Sequence, residues 1–129
     1  MDFFSSESLN SLDKIYRINL VNSITGYKSA NLLGTISNDG IENVAIFSSI
    51  THLGSQPALL SFFVRPNVVP RNTYKNIKEK KFFTVNHISK EKIDDAHHTS
   101  AKYGEDISEF DKTNLQSEYK KNWEAPFVK

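Results

Sequence analysis

The sequence predicts a β-rich α+β fold of four strands with short helices between them. Three observations support this prediction: four segments carry the apolar content of strands, Asn38-Asp39-Gly40 joins the first two, and the helical patterns are short. Asp-Gly supplies the positive φ angles of a tight hairpin, so the first two strands are expected to be antiparallel. That pairing argues against a doubly wound parallel sheet.

The first part of the chain is expected to form a helix and then this hairpin. Residues 8–18 carry apolar side chains at helical spacing, with Ser8 as the N-cap, which predicts a short amphipathic helix lying across a sheet. The two hairpin strands are predicted over residues 29–37 and 41–49, on either side of the Asp-Gly turn.

The middle of the chain alternates between strand and helix patterns. Residues 54–57 predict a turn, and the nearly continuous apolar segment 58–64 predicts a strand that is either buried on both faces or placed at the centre of a closed sheet. Residues 72–80 then predict a helix, residues 81–88 a fourth strand, and residues 89–99 a further helix that begins Ser-x-x-Lys.

The remaining segment is polar, and its scattered apolar side chains are expected to anchor short helical turns. These side chains are Phe110, Leu115, Tyr119 and Trp123. Four strands leave open edges, whereas a small closed barrel needs about six or more. One copy of this pattern is therefore expected to be an unfinished barrel.

Composition limits the classes of function. The chain has 129 residues, which predicts one domain over 1–129, and 16 basic against 15 acidic side chains give a net charge of +1. No global field favours nucleic acid or an anionic membrane surface. The absence of cysteine excludes disulfides, thiolate metal sites and a cysteine nucleophile.

The sequence also gives no indication of a metal or a membrane. The four histidines have no HExxH-like spacing, so no metal site is expected. No apolar run approaches the roughly 20 residues that cross a bilayer, and the N-terminus lacks the pattern of a signal peptide. A cytoplasmic location is the resulting expectation.

One candidate site lies at the start of the predicted helix 72–80. A helix beginning at Asn72 or Thr73 offers free backbone N–H groups, and Arg71 adds a guanidinium suited to phosphate oxygens. Pro66 and Pro70 restrict the loop that leads to it. From the local sequence alone, a helix cap at Asn72 or Thr73 beside a solvated arginine is favoured, because capping residues far outnumber anion sites.

A second candidate lies at the exit of the second strand, where Ser48, Ser49 and Thr51 follow one another closely. Small hydroxyls and exposed backbone groups can line a flat heteroaromatic ring, although serines at strand ends also form ordinary turns. The adjacent His97 and His98 point about 100° apart on a helix and are best explained as a solvated pair.

These segments, in this order, resemble the flavin reductase-like, FMN-binding split-barrel family. Residues 26–66 resemble the family's opening strands and its serine-rich flavin loop. Residues 69–89 resemble its Arg/Lys-x-Thr-x-x-Asn-Ile helix and the Phe-x-Val-Asn strand that follows, and residues 99–111 resemble a later segment. The resemblance implies an FMN-binding split β-barrel with short flanking helices.

The resemblance also implies positions for the cofactor. The isoalloxazine ring would lie against Ser48, Ser49, Ile50 and Thr51, and the phosphate against Arg71, Asn72 and Thr73. Arg65 is a second phosphate candidate. Asn86 and His87 would face the ribityl chain or the ring edge, and Lys28 and Ser29 would lie on the side where a nicotinamide stacks. No catalytic side chain and no metal ligand is implied.

The activity implied by the resemblance is NAD(P)H-dependent flavin reduction, with hydride transfer to flavin N5 and a homodimer as the usual assembly. Two alternatives are a non-catalytic FMN-binding or dimerisation module and a split barrel that uses another phosphorylated cofactor. Family members continue with further strands beyond the position of Lys129, so the barrel is expected to be incomplete at its C-terminus. A truncated member, a fragment and a copy closed by its partner chain all fit this difference.

Overall fold

The computed structural model describes residues 3–65 and 71–129. The expectations about Pro66 and Pro70 lie outside the described residues. The helices and strands, in chain order, are α1 (Ser6–Ser11), α2 (Lys14–Ser23), β1 (Asn31–Ile36), β2 (Glu42–Phe47), β3 (Thr51–Ser55), β4 (Ala58–Ser61), α3 (Asn72–Lys80), β5 (Thr84–His87), α4 (Ile93–His98), β6 (Ser117–Glu118) and β7 (Phe127–Val128). Two 3₁₀ turns, Lys90–Lys92 and Glu109–Lys112, lie between them.

A three-stranded antiparallel sheet, in the order β2-β1-β5, forms the centre of the fold. Its β1–β2 hairpin is the one predicted from sequence. Gly40 has a φ of +83°, and the Ser37 amide donates to the Ile41 carbonyl across the turn. The predicted helix 72–80 and the strand within residues 81–88 are also confirmed, as α3 and β5.

The two faces of this sheet are covered by different parts of the chain. Alternation along β1 places Thr35 on one face, where α3 packs through Thr73 and Asn76. Leu32 and Gly34 lie on the opposite face. There they meet the main apolar cluster and the C-terminal segment; the buried members of the cluster are Leu32, Val44, Ala96, Phe110 and Leu115.

The C-terminal segment packs directly on the backbone of the sheet. A Cβ atom at Gly34 would lie 2.1 Å from the carbonyl oxygen of Pro126, so only glycine fits there. The Thr84 hydroxyl donates to the same carbonyl. The strands β6 and β7, which the sequence did not predict, pair with each other next to this contact.

The exposed edge of the sheet is closed by two side chains. Strand β2 is an edge strand, and its Val44 amide donates to Glu109 Oε2 at 3.1 Å while its Ile46 amide donates to Thr99 Oγ1 at 3.0 Å. Paired edge amides cannot recruit another strand, so these contacts protect the sheet from extension along β2.

The prediction of a doubly buried strand over residues 58–64 is wrong. Only Ala58–Ser61 forms a strand, β4, and it pairs with the unpredicted β3 in a separate two-stranded hairpin. Leu60 and Phe63 are 60% and 75% exposed. Apolar content showed that this segment favours burial, but the described residues supply no layer that covers it. Phe62 alone turns inward, against Phe47 and Phe83.

The N-terminal prediction is also wrong in detail. Two helices replace the single helix over residues 8–18, because Asp13 accepts hydrogen bonds from the amides of Ile15 and Tyr16 and starts a second helix. The first helix is capped by Ser5 rather than Ser8. Neither helix buries a residue, so neither lies packed across the sheet.

Within residues 3–65 and 71–129, no helix has both the length and the apolarity that a bilayer crossing requires.

The predicted helix over residues 89–99 consists of the 3₁₀ turn Lys90–Lys92 followed by α4. The 3₁₀ turn Glu109–Lys112 contains Phe110, as predicted. The same prediction is wrong for Leu115, Tyr119 and Trp123, which lie in no helical turn.

We expect Glu109→Gln to be at least as stable as the wild type at pH 7. Burial raises the pKa of Glu109 above its ordinary value of 4.5. The folded chain therefore holds the proton more tightly than the unfolded chain, and stability is lost as the pH rises from 4.5 through the raised pKa. Glutamine keeps an oxygen for the Val44 amide and removes the buried charge. Denaturant unfolding at several pH values measures the difference.

The advantage of Glu109→Gln should shrink as the pH falls toward 4.5, because the wild-type carboxyl then becomes neutral as well. Glu124→Gln, at an exposed glutamate, is the control and should show no such dependence. A glutamine variant that is clearly less stable at pH 7 would show that the charged carboxylate stabilises the β2 edge.

Candidate functional site

One end of the sheet gathers most of the residues expected around a cofactor ring. Asn31 pairs with Phe47 on one side and with His87 on the other, so these three residues form a row at this end. Residues 48–51 leave the sheet directly after Phe47. Ser29 Oγ donates to the carbonyl of Ile50 at 3.4 Å, which brings the segment before β1 against the same loop.

The loop 48–51 is tied to the chain that follows β4. Ser49 Oγ donates to the Phe63 carbonyl and accepts from the Phe63 amide, both at 3.1 Å. Arg65 follows Phe63 closely in sequence, so this pair of bonds brings the segment that carries Arg65 to the loop. The Arg65 side chain is exposed. Ser48 and Thr51 are exposed, so hydroxyls and backbone groups of the loop face solvent.

The first turn of α3 differs from the expected cap. The N-cap residue is Arg71, its side chain makes no capping bond, and neither Asn72 nor Thr73 is the cap. The first bond of the helix runs from the Lys75 amide to the Arg71 carbonyl. Helix geometry leaves the earlier amides without partners inside the helix, so they remain available to an anion.

Arg71 carries an orphaned donor. Its Nε atom is buried and has no hydrogen-bond partner among residues 3–65 and 71–129. A buried guanidinium N–H without a partner costs free energy, and a phosphate oxygen is a partner that would satisfy it. This atom is the clearest sign of a missing ligand within the described residues.

Two expected ligand side chains point into the protein instead. Thr73 is 6% exposed and its Oγ1 accepts from Asn43 Nδ2 at 3.0 Å, inside the contact between helix and sheet. Asn86 Oδ1 accepts from the Val128 amide and its Nδ2 donates to the Leu32 carbonyl, on the face opposite α3. The expectation that the Asn86 side chain faces a cofactor does not fit this placement.

Two further candidates are turned toward neighbouring backbone. Lys28 Nζ donates to the Asn22 carbonyl at the end of α2, and Asn72 Nδ2 donates to the Glu105 carbonyl at 3.5 Å. Both side chains are on the surface, so these weak contacts do not prevent them from moving to a ligand. His87 is exposed at the end of β5.

A small open cleft of about 170 Å³ lies beside the first turns of α3. Its rim carries the carboxylates of Asp39, Glu105 and Asp106 against one cation, Lys75, whose Nζ is 4.0 Å from Glu105. This excess of negative charge repels a phosphate. The cleft is therefore not the expected phosphate site, although it borders the same helix.

The histidine pair takes no part in either group. His97 and His98 are exposed, as the sequence predicted, and His98 Nε2 lies 2.9 Å from the hydroxyl of Tyr103. In the part of the chain that the structure describes, no three histidine, aspartate or glutamate side chains come together as a metal site.

Comparison with known proteins decides the family. The family model for the flavin reductase like domain matches residues 26–129. The chain belongs to this family. Its fold agrees with that assignment, since it superimposes on a putative flavin reductase with a split barrel domain from Shewanella frigidimarina NCIMB 400 with a TM-score of 0.93 and 43% identity. The predicted split-barrel fold class is thereby confirmed.

More distant solved structures share the fold alone. Nitrilotriacetate monooxygenase component B from Bacillus cereus superimposes with a TM-score of 0.83 at 19% identity, with 100% of this chain and 63% of that chain covered. Flavoredoxin of Desulfovibrio vulgaris (Miyazaki F) gives a TM-score of 0.70 at 24% identity, over 80% of this chain and 55% of that chain.

The chain is shorter than its relatives. All of it aligns with 64% of the Shewanella protein. An uncharacterized protein of Aquifex aeolicus (strain VF5) is 31% identical over 119 residues, which are 91% of this chain and 60% of that protein. This flavin reductase-like chain thus spans less than two thirds of the length of both relatives.

Sequence reasoning missed the residues that organise the site. Asn43 and Phe63 make the contacts described above, and neither was a candidate. Asn43 had a detectable signal, because it is a polar residue that stands opposite another polar residue, Thr35, across the predicted hairpin. Phe63 had none, since its contact with Ser49 uses only the backbone of the phenylalanine.

We expect Ser49→Ala to loosen the loop 48–51 from the segment after β4. The substitution removes both hydrogen bonds to Phe63, so the Phe63 amide loses its acceptor and exchanges faster with solvent. Hydrogen exchange of that amide measures the effect, with an acceleration of about tenfold expected for the loss of about 1.4 kcal/mol of local stability. Ser48→Ala, at an exposed serine, is the control. Equal exchange in both variants would contradict the link.

Proposed function

We propose that this chain binds FMN and supports the reduction of the flavin by NAD(P)H. The observation that carries the proposal is the buried Nε atom of Arg71, which has no hydrogen-bond partner among residues 3–65 and 71–129 and stands at the start of α3 in a member of the flavin reductase like domain family. The phosphate of FMN offers oxygens that can accept from this donor, and riboflavin lacks that phosphate.

The phosphate end of the proposed site is formed by Arg71 and the backbone of the first turn of α3. The guanidinium supplies charge and a fork of N–H groups, and the amides of Asn72 and Thr73 add donors at the positive end of the helix dipole. Thr73 contributes through its backbone here, because its side chain is held by Asn43. Arg65 is a second cation for the same phosphate.

The ring end of the proposed site is the loop 48–51. Its serines and backbone groups face solvent, and its position is fixed by the bonds between Ser49 and Phe63. Ser29, bonded to the Ile50 carbonyl, lies on the side proposed for the nicotinamide, with Lys28 next to it and His87 at the end of β5. These groups orient the two rings and hold the flavin edge.

FMN, when bound, supplies a centre that accepts a hydride from NAD(P)H. The protein's part is to place the two rings against each other and to exclude water from the space between them. No side chain is assigned as a general acid or base, because the cofactor carries the reaction.

We also propose that the protein works as a homodimer. Strands β3 and β4 expose apolar side chains, with Leu53 at 66% and Leu60 at 60%, next to the loop proposed to hold the ring. A second copy that covers this hairpin would bury apolar surface and enclose the ring end of the site.

A second candidate function is flavin binding without reductase activity. It is favoured by the exposure of Ser48 and Thr51, which leaves the proposed ring end open to solvent among the described residues.

Arg71→Ala should weaken the binding of FMN by about 10-fold to 100-fold, the value of a lost charged hydrogen bond. Riboflavin has no phosphate, so its affinity should change by less than about twofold. Titration of each flavin by fluorescence measures both constants. Lys80→Ala removes a positive charge from the other end of α3 and is the matched control. An equal loss for both flavins in Arg71→Ala would remove the phosphate assignment.

The purified protein with excess FMN should oxidise NADH or NADPH, followed as the loss of nicotinamide absorbance. Free FMN without protein sets the background rate. Turnover above that background supports the reductase. Tight FMN binding with no turnover would instead support the flavin-binding module, and an absorbance spectrum that shows a different bound chromophore would point to another phosphorylated cofactor.

A further inference from the structure

The first turn of α3 is held from the sheet rather than by a helix cap. Arg71 occupies the N-cap position without a side-chain capping bond, whereas Asn43 Nδ2 on β2 donates to Thr73 Oγ1 at 3.0 Å. An ordinary cap consumes amides of the first turn, because its side-chain oxygen accepts from them. Here the side chain of Asn43 on the sheet holds the turn through Thr73, and the backbone amides of the turn stay available to a ligand.

Asn43 is rigidly placed for this purpose. It is 4% exposed, and the same Nδ2 also donates to Oγ1 of Thr35, its cross-strand partner, at 3.2 Å. Thr35 is fully buried. A side chain that is almost completely buried and fixed by two partners has one orientation, so it can hold a neighbouring group at a defined position.

A second contact docks the helix independently of Asn43. Asn76 Nδ2, in the next turn of α3, donates to Thr35 Oγ1 at 3.2 Å, and Asn76 is 2% exposed. Loss of the Asn43 side chain would therefore leave the body of α3 attached to β1. The displacement would fall on the first turn, where Arg71 and the free amides lie.

We propose that Asn43 is a positioning residue for the phosphate end of the cofactor site. This inference rests on the proposed function, since it assumes that the first turn of α3 receives a phosphate. Asn43 acts through Thr73 and does not contact the ligand. Strand β2, which carries Asn43, also ends at Phe47 and delivers the loop from Ser48 onward, so one strand fixes both ends of the site relative to each other.

The test compares FMN and riboflavin affinity in Asn43→Ala and in Asn43→Thr, which removes the side-chain amide and introduces a β-branched residue suited to a strand. FMN affinity should fall by about tenfold, the order of one well-placed hydrogen bond, while riboflavin affinity changes by less than about twofold. Retention of riboflavin binding shows that the variant is folded.

Thr99→Val is the matched control. Thr99 is equally buried and its Oγ1 also bonds to β2, at the Ile46 amide, but on the edge away from α3. The substitution Thr99→Val should lower the melting temperature without changing the ratio of FMN affinity to riboflavin affinity. The inference is overturned if the Asn43 variants weaken both flavins equally, as a merely structural defect would.

The ratio of FMN affinity to riboflavin affinity in the wild type distinguishes a failure of this inference from a failure of the proposed function. A wild type that binds FMN and riboflavin equally would remove the phosphate site and, with it, the role of Asn43. A wild type that prefers FMN, together with Asn43 variants that keep the full preference, would overturn the positioning role alone and leave the proposed site intact.

Discussion

The buried hydrogen bonds among Thr35, Asn43, Thr73 and Asn76 are the interaction on which the rest of this structure depends. They form the buried link between the β1–β2 hairpin and α3, and all four residues are at most 6% exposed. Two asparagine amides share the oxygens of two threonines, so α3 has one register on the sheet. Because buried polar groups are costly without partners, a shift of the helix would break several bonds at once. The sheet, rather than the helix sequence, therefore sets where the first turn points.

The opposite face of the sheet depends on contacts between parts that are distant in sequence. Pro126 lies against Gly34, Asn86 bonds to Val128, and Glu109 closes the edge at Val44. These contacts leave the backbone of β1 buried between α3 and the C-terminal segment. The three-stranded sheet is thus a rigid platform, and the loop 48–51 and the first turn of α3 are both attached to it. Such a platform suits a site that must orient two flat rings without help from a reacting side chain.

The hairpin β3–β4 contrasts with this platform. It touches the sheet through Phe62, whose ring packs on Phe47 and Phe83, while Leu60 and Phe63 remain exposed. The same hairpin follows the loop proposed to hold the flavin ring. In the proposed homodimer, the second copy would cover this apolar surface and enclose the proposed site.

The sequence alone determined the elements whose signals are local. The Asp-Gly turn predicted the β1–β2 hairpin and the pattern of residues 72–80 predicted α3, because turn chemistry and periodicity act over a few residues. The order of the segments resembled the family to which the chain belongs. Tertiary structure decided which polar side chains face inward. Thr73 and Asn86 read as ligands in the sequence, but strand register and the partner strands turned both into the interior. It also decided that most of residues 58–64 stay exposed. Apolar content indicates that a segment tends to be buried, but it does not identify the element that would cover the segment.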